Sequence, residues 1–249
     1  MPQGAEAAPP MSINFQTQAA PIPAGFVQDY GLAYGLRANG DTYGWVTEAT
    51  VNTAGATPLD LTAYGRDRNR AGIPQERDTV MHMQYLAGNG TTGPHGGWEY
   101  AVPSGTYIVT VSVGDQPGTG NVYDSTNTIR VEGTILINGF VGSAAQEYAN
   151  ATVTLPVTDG RISIDAIGGT NTKINYVTIT QTTTPDTDND GFDDIADQCI
   201  NTPGVAPDGC PAVPPPDADN DGFSDAGDAC PLVPGVAPDG CPAPVPPVG

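Results

Sequence analysis

The chain is short of basic residues. Eight Lys and Arg stand against 28 Asp and Glu, for a formal net charge of −20 over 249 residues. That balance excludes nucleic acid as a partner, because neutralising phosphates takes clustered cations. It excludes an anionic membrane surface for the same reason. Long apolar runs are missing too, so no membrane insertion is expected. Helical periodicity is nearly absent, and only Ser143–Ala151 has room for a turn or two of helix. Enzyme motifs are also lacking: there is no GxSxG, HExxH or Walker sequence. Gly88-Asn89-Gly90-Thr91-Thr92-Gly93 matches GxGxxG, but no helix pattern follows it, and it reads as a surface loop. The acids Asp41, Glu48, Glu76 and Asp78 are scattered and do not form the opposed pair of a glycosidase. His82 sits mid-strand between methionines and reads as a satisfied core histidine, and His95 lies in a Gly-rich loop. No catalytic residue is assigned and no enzyme is expected.

Glycine and proline are plentiful. Their 32 and 25 copies exceed a fifth of the chain, which favours turns over long helices. Charge is unevenly spread. From Thr182 to Gly249 there are thirteen Asp and no Lys, Arg or Glu. All four cysteines lie in the same stretch. Two regions of different physics therefore meet near residue 182.

The acidic region is a tandem repeat. Asp186–Pro211 reads DTDNDGFDDIADQCINTPGVAPDGCP and Asp217–Pro242 reads DADNDGFSDAGDACPLVPGVAPDGCP. Every landmark recurs after 31 residues, so one structural unit is used twice. The first unit carries Asp186, Asp188, Asp190, Gly191, Asp194 and Asp197. The second carries Asp217, Asp219, Asp221, Gly222, Asp225 and Asp228. Counted from the first Asp, carboxylates fall at positions 1, 3, 5, 9 and 12 with Gly at 6, as in an EF-hand loop. Position 7, Phe192 or Phe223, offers a backbone carbonyl. Ca²⁺ takes six to eight hard oxygens, and a tightly curled loop aims alternate residues at one centre. Two calcium sites are expected. Asp replaces the usual Glu at position 12, so its second oxygen has less reach. Asp208 and Asp239 stand in Pro-Asp-Gly and read as turn residues.

Cys199 and Cys210 enclose ten residues, as do Cys230 and Cys241. Pairing within each repeat is the simplest of three connectivities. Zinc is disfavoured by the absence of CxxC and of any tail histidine. Disulfides imply an oxidising compartment. The motif D-x-D-x-D-G-x-x-D-x-x-D-x-C followed by P-G-V-A-P-D-G-C-P resembles thrombospondin type 3 repeats of secreted and bacterial surface proteins. The resemblance implies a calcium-rigidified spacer with little core. Dockerins share the ladder but pair it with helices. The opening MPQGAEAAPP has neither a basic nor an apolar signal segment and does not read as a signal peptide; the expectation is that export information has been removed or that the chain is cut from a longer precursor.

Residues from about Ile13 to Thr183 alternate in strand fashion. Tyr107, Val109, Val111 and Val113 fall on one face of Gly105–Asp115, and Val153, Leu155 and Val157 on one face of a later strand. Ile162 and Ile164 follow. Lys173–Thr180 is apolar on both faces and is either central or bulged. Further strands are expected at Asp78–Leu86, Trp98–Val102 and Thr128–Ile137. The fold class is mostly β: a two-sheet antiparallel sandwich of jelly-roll type, followed by the stapled irregular tail. The stretches INFQTQAAPIPAGFVQDYGLAYG, DTYGW, RDRN, DTVMHMQY, WEYAVPSGTYIVTVSVGD, RVEGTIL, TVTLPVTDGRISI and KINYVTIT resemble malectin-like, galactose-binding-like modules. That resemblance implies a non-catalytic carbohydrate-binding, adhesion or spacer domain. Expected boundaries are an arm at 1–11, the sandwich at 12–183, repeats at 184–212 and 213–242, and a Pro-rich end at 243–249.

Sugar binding needs aromatic faces for ring C–H groups and polar groups for hydroxyls. Tyr43, Trp45, Arg66, Arg68 and Trp98 are the candidates. A sandwich core uses the same aromatics, and a surface ion pair the same arginines. The loop Gln116–Asn127 is longer and more Gly-rich than the malectin-like pattern expects; as part of a glycan rim it would alter or abolish binding. Two functions compete: a glycan-binding module on a calcium-stiffened stalk, or a structural subunit that self-assembles into an extracellular fibre or surface layer.

Overall fold

A computed structural model describes residues 10–86, 90, 92–182, 188, 192, 197–205, 208–211, 217–236 and 239–242. The chain divides into two compact units, Met1–Pro185 and Asp186–Gly249.

The first unit is built from short strands separated by turns. In chain order they are β1 (Met11–Phe15), β2 (Val27–Asp29), β3 (Gly35–Leu36), β4 (Thr42–Thr47), β5 (Gly65–Asp67), β6 (Thr79–His82) and β7 (Gln84–Leu86). There follow β8 (Thr92–Ala101), β9 (Gly105–Gly114), β10 (Asn127–Val131), β11 (Thr134–Phe140), β12 (Tyr148–Val157), β13 (Arg161–Asp165) and β14 (Lys173–Gln181). One sheet runs β12-β9-β14-β1-β2, with β6 against β14 and β5 against β6. The other runs β11-β10-β13-β8-β4-β3, with β7 against β8. All named pairs are antiparallel except β1 with β2, which is parallel.

Alternation explains the core. Tyr107, Val109, Val111 and Val113 on β9 are buried, while Ile108 between them is 39% exposed. They meet Trp45, Trp98, Ile129, Ile162 and Ile164 of the facing sheet in one apolar cluster. Each such side chain contributes about 1.5–3 kcal/mol by leaving water. β14 is both central and bulged: it lies between β9 and β1, and its register shifts between Ile174 and Tyr176.

Four sequence expectations are corrected. The span Asp78–Leu86 is not one strand. Asp78 ends a single helical turn, Gln75–Asp78, and Met83 breaks the rest, so β6 joins one sheet and β7 the other. Met83 makes the switch because its N–H bonds Thr172 and its carbonyl bonds Gly96 of β8. The strand expected to begin at Trp98 begins at Thr92, so His95 is a strand residue. Glycines there serve packing: a Cβ at Gly96 would lie 2.7 Å from Leu61 Cδ1, and one at Gly97 2.6 Å from Val51 Cγ2. Thr128–Ile137 folds back on itself through Glu132 and Gly133, at φ 50° and 72°, giving β10 and β11. Ser143–Ala151 is not helical. Its second half opens β12, whose ten residues all pair with β9.

Candidate functional site

Two of the clefts that dent the sandwich are lined by arginine. One, of about 600 Å³, is apolar, lined by Ile22, Phe26, Tyr30, Leu36 and Tyr43 with Arg37. The other, of about 240 Å³, is polar. The cation of the larger one is already committed. Arg37 already gives Nη2 to the Leu32 and Ala33 carbonyls, and its guanidinium lies 4.9 Å over the Tyr43 ring. Tyr43 itself is 3% exposed, and burial pushes its phenol up to about 12.

Trp45 and Trp98, expected as stacking faces, lie in the core with no exposed surface. A ring closed to solvent presents nothing to a ligand, so both assignments are corrected to structural ones. Phe15 packs edge-on against both, at 5.5 Å. Their indole N–H groups converge on Asp29: Trp45 donates to Oδ1 at 3.0 Å and Trp98 to Oδ2 at 2.9 Å. The Gly31 amide donates to Oδ1 as well. Burial raises the Asp29 pKa, and these three donors oppose the shift.

Arg66 and Arg68 do come together, in the polar cleft. β5 carries Arg66, Arg68 follows its last residue, and β6 and β7 supply His82 and Tyr85. The first residues of the expected rim loop, Gln116, Pro117 and Gly118, line the same cleft. Arg68 is held by Asp115: Nε donates to Oδ1 at 2.9 Å and Nη2 donates to Oδ2. Lys173 bridges the acids, 3.4 Å from Asp115 and 2.7 Å from Asp124. Arg66 instead donates Nη1 to the carbonyls of Ala63 and Gly65 and sits 5.7 Å over the Tyr85 ring.

Tyr85 is half-buried and rests against Tyr64 and His82, each 5.2 Å away between ring centres. His82 is 5% exposed and lies 2.9 Å through Nδ1 from the Tyr64 carbonyl. Burial, with Lys173 and Arg66 nearby, holds its pKa down at about 4. It is therefore neutral at pH 7, Nδ1–H donates to Tyr64, and Nε2 keeps its lone pair as an acceptor. Asn171 adds a side-chain amide to the wall. The cleft thus combines a ring, an acceptor, amides and cationic donors, the mixture that reads sugar C–H faces and hydroxyls. Sequence reasoning named the two arginines as candidates but missed Tyr85, His82 and Asn171. The first two sit in the split strand, where the expected continuous strand gave them no common face.

The second unit carries the acidic ladder. Asp217, Asp219 and Asp221 bring carboxylate oxygens within 4.8 Å of one another. The curl is held by their own backbone bonds. Asp217 accepts from Asn220 at 2.8 Å and Gly222 at 3.0 Å, and Asp221 accepts from Phe223 at 2.9 Å. Gly222 takes φ 95°, the sharp turn that position 6 requires. Asp225 closes back on Ala218 at 2.8 Å. Asp228 is buried and accepts from Cys230 at 2.7 Å. The Asp219 pKa is raised by desolvation and then by the carboxylates of Asp221, Asp228 and Asp217. In the first repeat Asp188, Phe192 and Asp197 are described, while Asp186, Asp190 and Asp194 fall outside the described residues. Asp197 is buried and accepts from Cys199 at 2.6 Å. The donor set is all oxygen and suits a hard divalent cation.

Both disulfides close within their repeats, Cys199–Cys210 and Cys230–Cys241, with Cα atoms 5.0 and 5.1 Å apart. Asp208 and Asp239 are turn residues as expected, each 3.3 Å from the amide of the following cysteine. Among the described residues no helix is long and apolar enough to cross a membrane.

These features define a mostly-β, two-sheet sandwich with a disulfide-stapled C-terminal unit. No family model and no curated protein matches the chain. Several solved structures do. Protein YXIM of Bacillus subtilis aligns at 17% identity with a TM-score of 0.44, covering 70% of this chain and 40% of that one. The ANX2 ectodomain of Arabidopsis thaliana aligns at 12% and 0.37, covering 72% and 43%. A family 35 carbohydrate binding module from Clostridium thermocellum aligns at 18% and 0.25, covering 41% and 88%. The chain thus spans less than half the length of the first two.

Proposed function

We propose that the chain is a non-catalytic extracellular binding protein: a glycan-binding β-sandwich joined to two calcium-binding spacer repeats. The observation that carries the first half is the polar cleft, where Tyr85, His82, Asn171 and Arg66 surround one volume under the Gln116 loop. No step of catalysis is drawn there. Asp115 and Asp124 are engaged by Arg68 and Lys173, and His82 is neutral and bonded. The twofold repeat of the carboxylate ladder supports calcium. So do Asp197 Oδ2 and Asp219 Oδ2, which are buried without a hydrogen-bond partner among the described residues and suited to a cation. Asp186, Asp188, Asp190, Asp194 and Asp197 would hold one ion. Asp217, Asp219, Asp221, Asp225 and Asp228 would hold the other, with Phe192 and Phe223 giving carbonyls. Each ion would neutralise the crowded acids and order its loop. The two disulfides fit an extracellular setting.

Affinity electrophoresis of the full chain through polysaccharide gels tests the cleft. Retardation that disappears in Tyr85→Ala supports it; equal mobility of wild type and variant in every gel overturns it. The second reading, a self-assembling structural subunit, draws on β12. That ten-residue strand pairs with β9 on one side and with no strand on the other among the described residues. It exposes the uncharged Asn150, Thr152 and Thr154. Regular filaments in calcium by electron microscopy, without glycan retention, would favour that reading.

A further inference from the structure

Arg66 differs from the other cations in what its guanidinium does. All eight basic side chains lie in the described residues. Arg68, Arg70, Arg130, Arg161 and Lys173 each pair with a carboxylate. Among the described residues Arg37, Arg66 and Arg77 do not. Arg37 lines the apolar cleft with Nη2 committed to backbone, and Arg77 lines neither cleft. In a chain where 28 acids outnumber 8 bases, carboxylates are not scarce. Arg66 is nonetheless left without one among the described residues, inside a cleft.

Its bonding leaves a defined edge open. Nη1 is used on the Ala63 and Gly65 carbonyls, at 3.0 and 2.6 Å. Nε and Nη2 make no hydrogen bond among the described residues. The same Nε–Nη2 edge grips a carboxylate twice elsewhere in the molecule. Arg130 places it on Asp165 at 2.8 and 3.0 Å, and Arg68 places it on Asp115. A planar two-oxygen anion matches that fork in a way a single hydroxyl does not. Tyr85, under the guanidinium, restrains its plane.

We infer that the cleft selects an acidic glycan, with the carboxylate of a uronic-acid unit seated on the Nε–Nη2 edge of Arg66. This rests on the glycan-binding reading and narrows it. Local charge agrees: Arg66, Arg68 and Lys173 face only Asp115 and Asp124 across the cleft. The chain as a whole is strongly anionic, so polyanions gain nothing from its net charge and attraction rests on these cations. The His82 Nε2 acceptor is left for the sugar's hydroxyls, as is Nδ2 of Asn171, whose Oδ1 already accepts from the Leu86 amide.

The test is affinity electrophoresis of the full chain in EDTA, so that no calcium bridges tail and polymer. The gels carry polygalacturonate, its methyl ester, neutral galactan or dextran sulfate. The acid form is expected to retard the protein at least tenfold more strongly than the ester, which keeps the ring but hides the charge. Arg66→Gln should abolish that preference and Arg66→Lys should recover little of it, since an ammonium lacks the fork. Arg77→Gln, which removes equal charge outside the cleft, should leave it intact. Melting temperature is followed for each variant, and Arg66→Lys stands in if Arg66→Gln does not fold. Equal retention by acid and ester, or retention unchanged in folded Arg66 variants, overturns the carboxylate assignment while the glycan reading stands. Equal retention by dextran sulfate assigns the effect to any polyanion and also overturns it. Free migration in all four gels overturns both.

Discussion

At the scale of single residues, buried polar groups decide more than their number suggests. Asp29 takes three N–H donors in a site closed to solvent. Asparagine there would keep the shape but turn one acceptor into a donor facing an indole N–H. Asp29→Asn is therefore expected to lower unfolding free energy by about 2–4 kcal/mol, read by urea denaturation. His82 gives a pH signature. Its folded pKa, about 4, lies below the ordinary 6.5. The folded state therefore binds fewer protons than the unfolded chain between those values. The stability it protects is complete above pH 6.5 and declines as pH falls toward 4, by about 1.4 kcal/mol per unit. His82→Gln keeps a donor for Tyr64 and should flatten that decline. A wild-type slope persisting in the variant would assign the effect to another group.

At the scale of elements, strands are legible where alternation is clean and lost where packing overrides it. β9 and β14 are read from their own residues, since Tyr107 to Val113 alternate and Lys173–Thr180 is apolar on both faces. β8 is half hidden because Gly93, Gly96 and Gly97 look like a loop in sequence. The smallness of Gly96 and Gly97 instead admits Leu61, Trp45 and Val51 over the strand, and that of Gly93 admits Tyr64 and Tyr85. Glu132 conceals a hairpin because a left-handed glutamate is an unusual turn residue. The cleft is read in part for the same reason. Arg66 and Arg68 stand out as cations in an acidic chain, whereas Tyr85 becomes a wall residue only once β6 and β7 part at Met83. Trp45 and Trp98 illustrate the opposite error, since large aromatics serve cores as readily as ligands. The packing account of β8 has a direct consequence. Gly97→Ala sets a methyl carbon 2.6 Å from Val51 Cγ2, whose branched side chain has little freedom to yield. A loss of about 1–3 kcal/mol is expected by chemical denaturation, and a neutral result would show that β8 tolerates bulk.

At the scale of the whole molecule, the two units are stabilised by different physics. The sandwich buries one continuous apolar cluster, and its salt bridges match cation to carboxylate within the unit. The tail holds thirteen Asp and not one basic residue, so its acids have no cationic partner of their own. Apart from two disulfides, what is left to order it is the curl of its loops and any cation they bind. Calcium should therefore matter to one unit alone. Isothermal titration of the full chain should give two equivalents. At free calcium a thousandfold above Kd each site would add about 4 kcal/mol to the unit that holds it. In calorimetry, EDTA should then erase or lower the tail's transition and leave the sandwich's melting where it was. Asp221→Asn, which discharges the carboxylate that also receives the Gly235 amide at 2.7 Å, should remove one equivalent and leave the other. A sandwich transition that moves with the tail on chelation would mean that the two units unfold as one. A stoichiometry of zero would leave the ladder as a self-bonded acidic loop with no metal to carry.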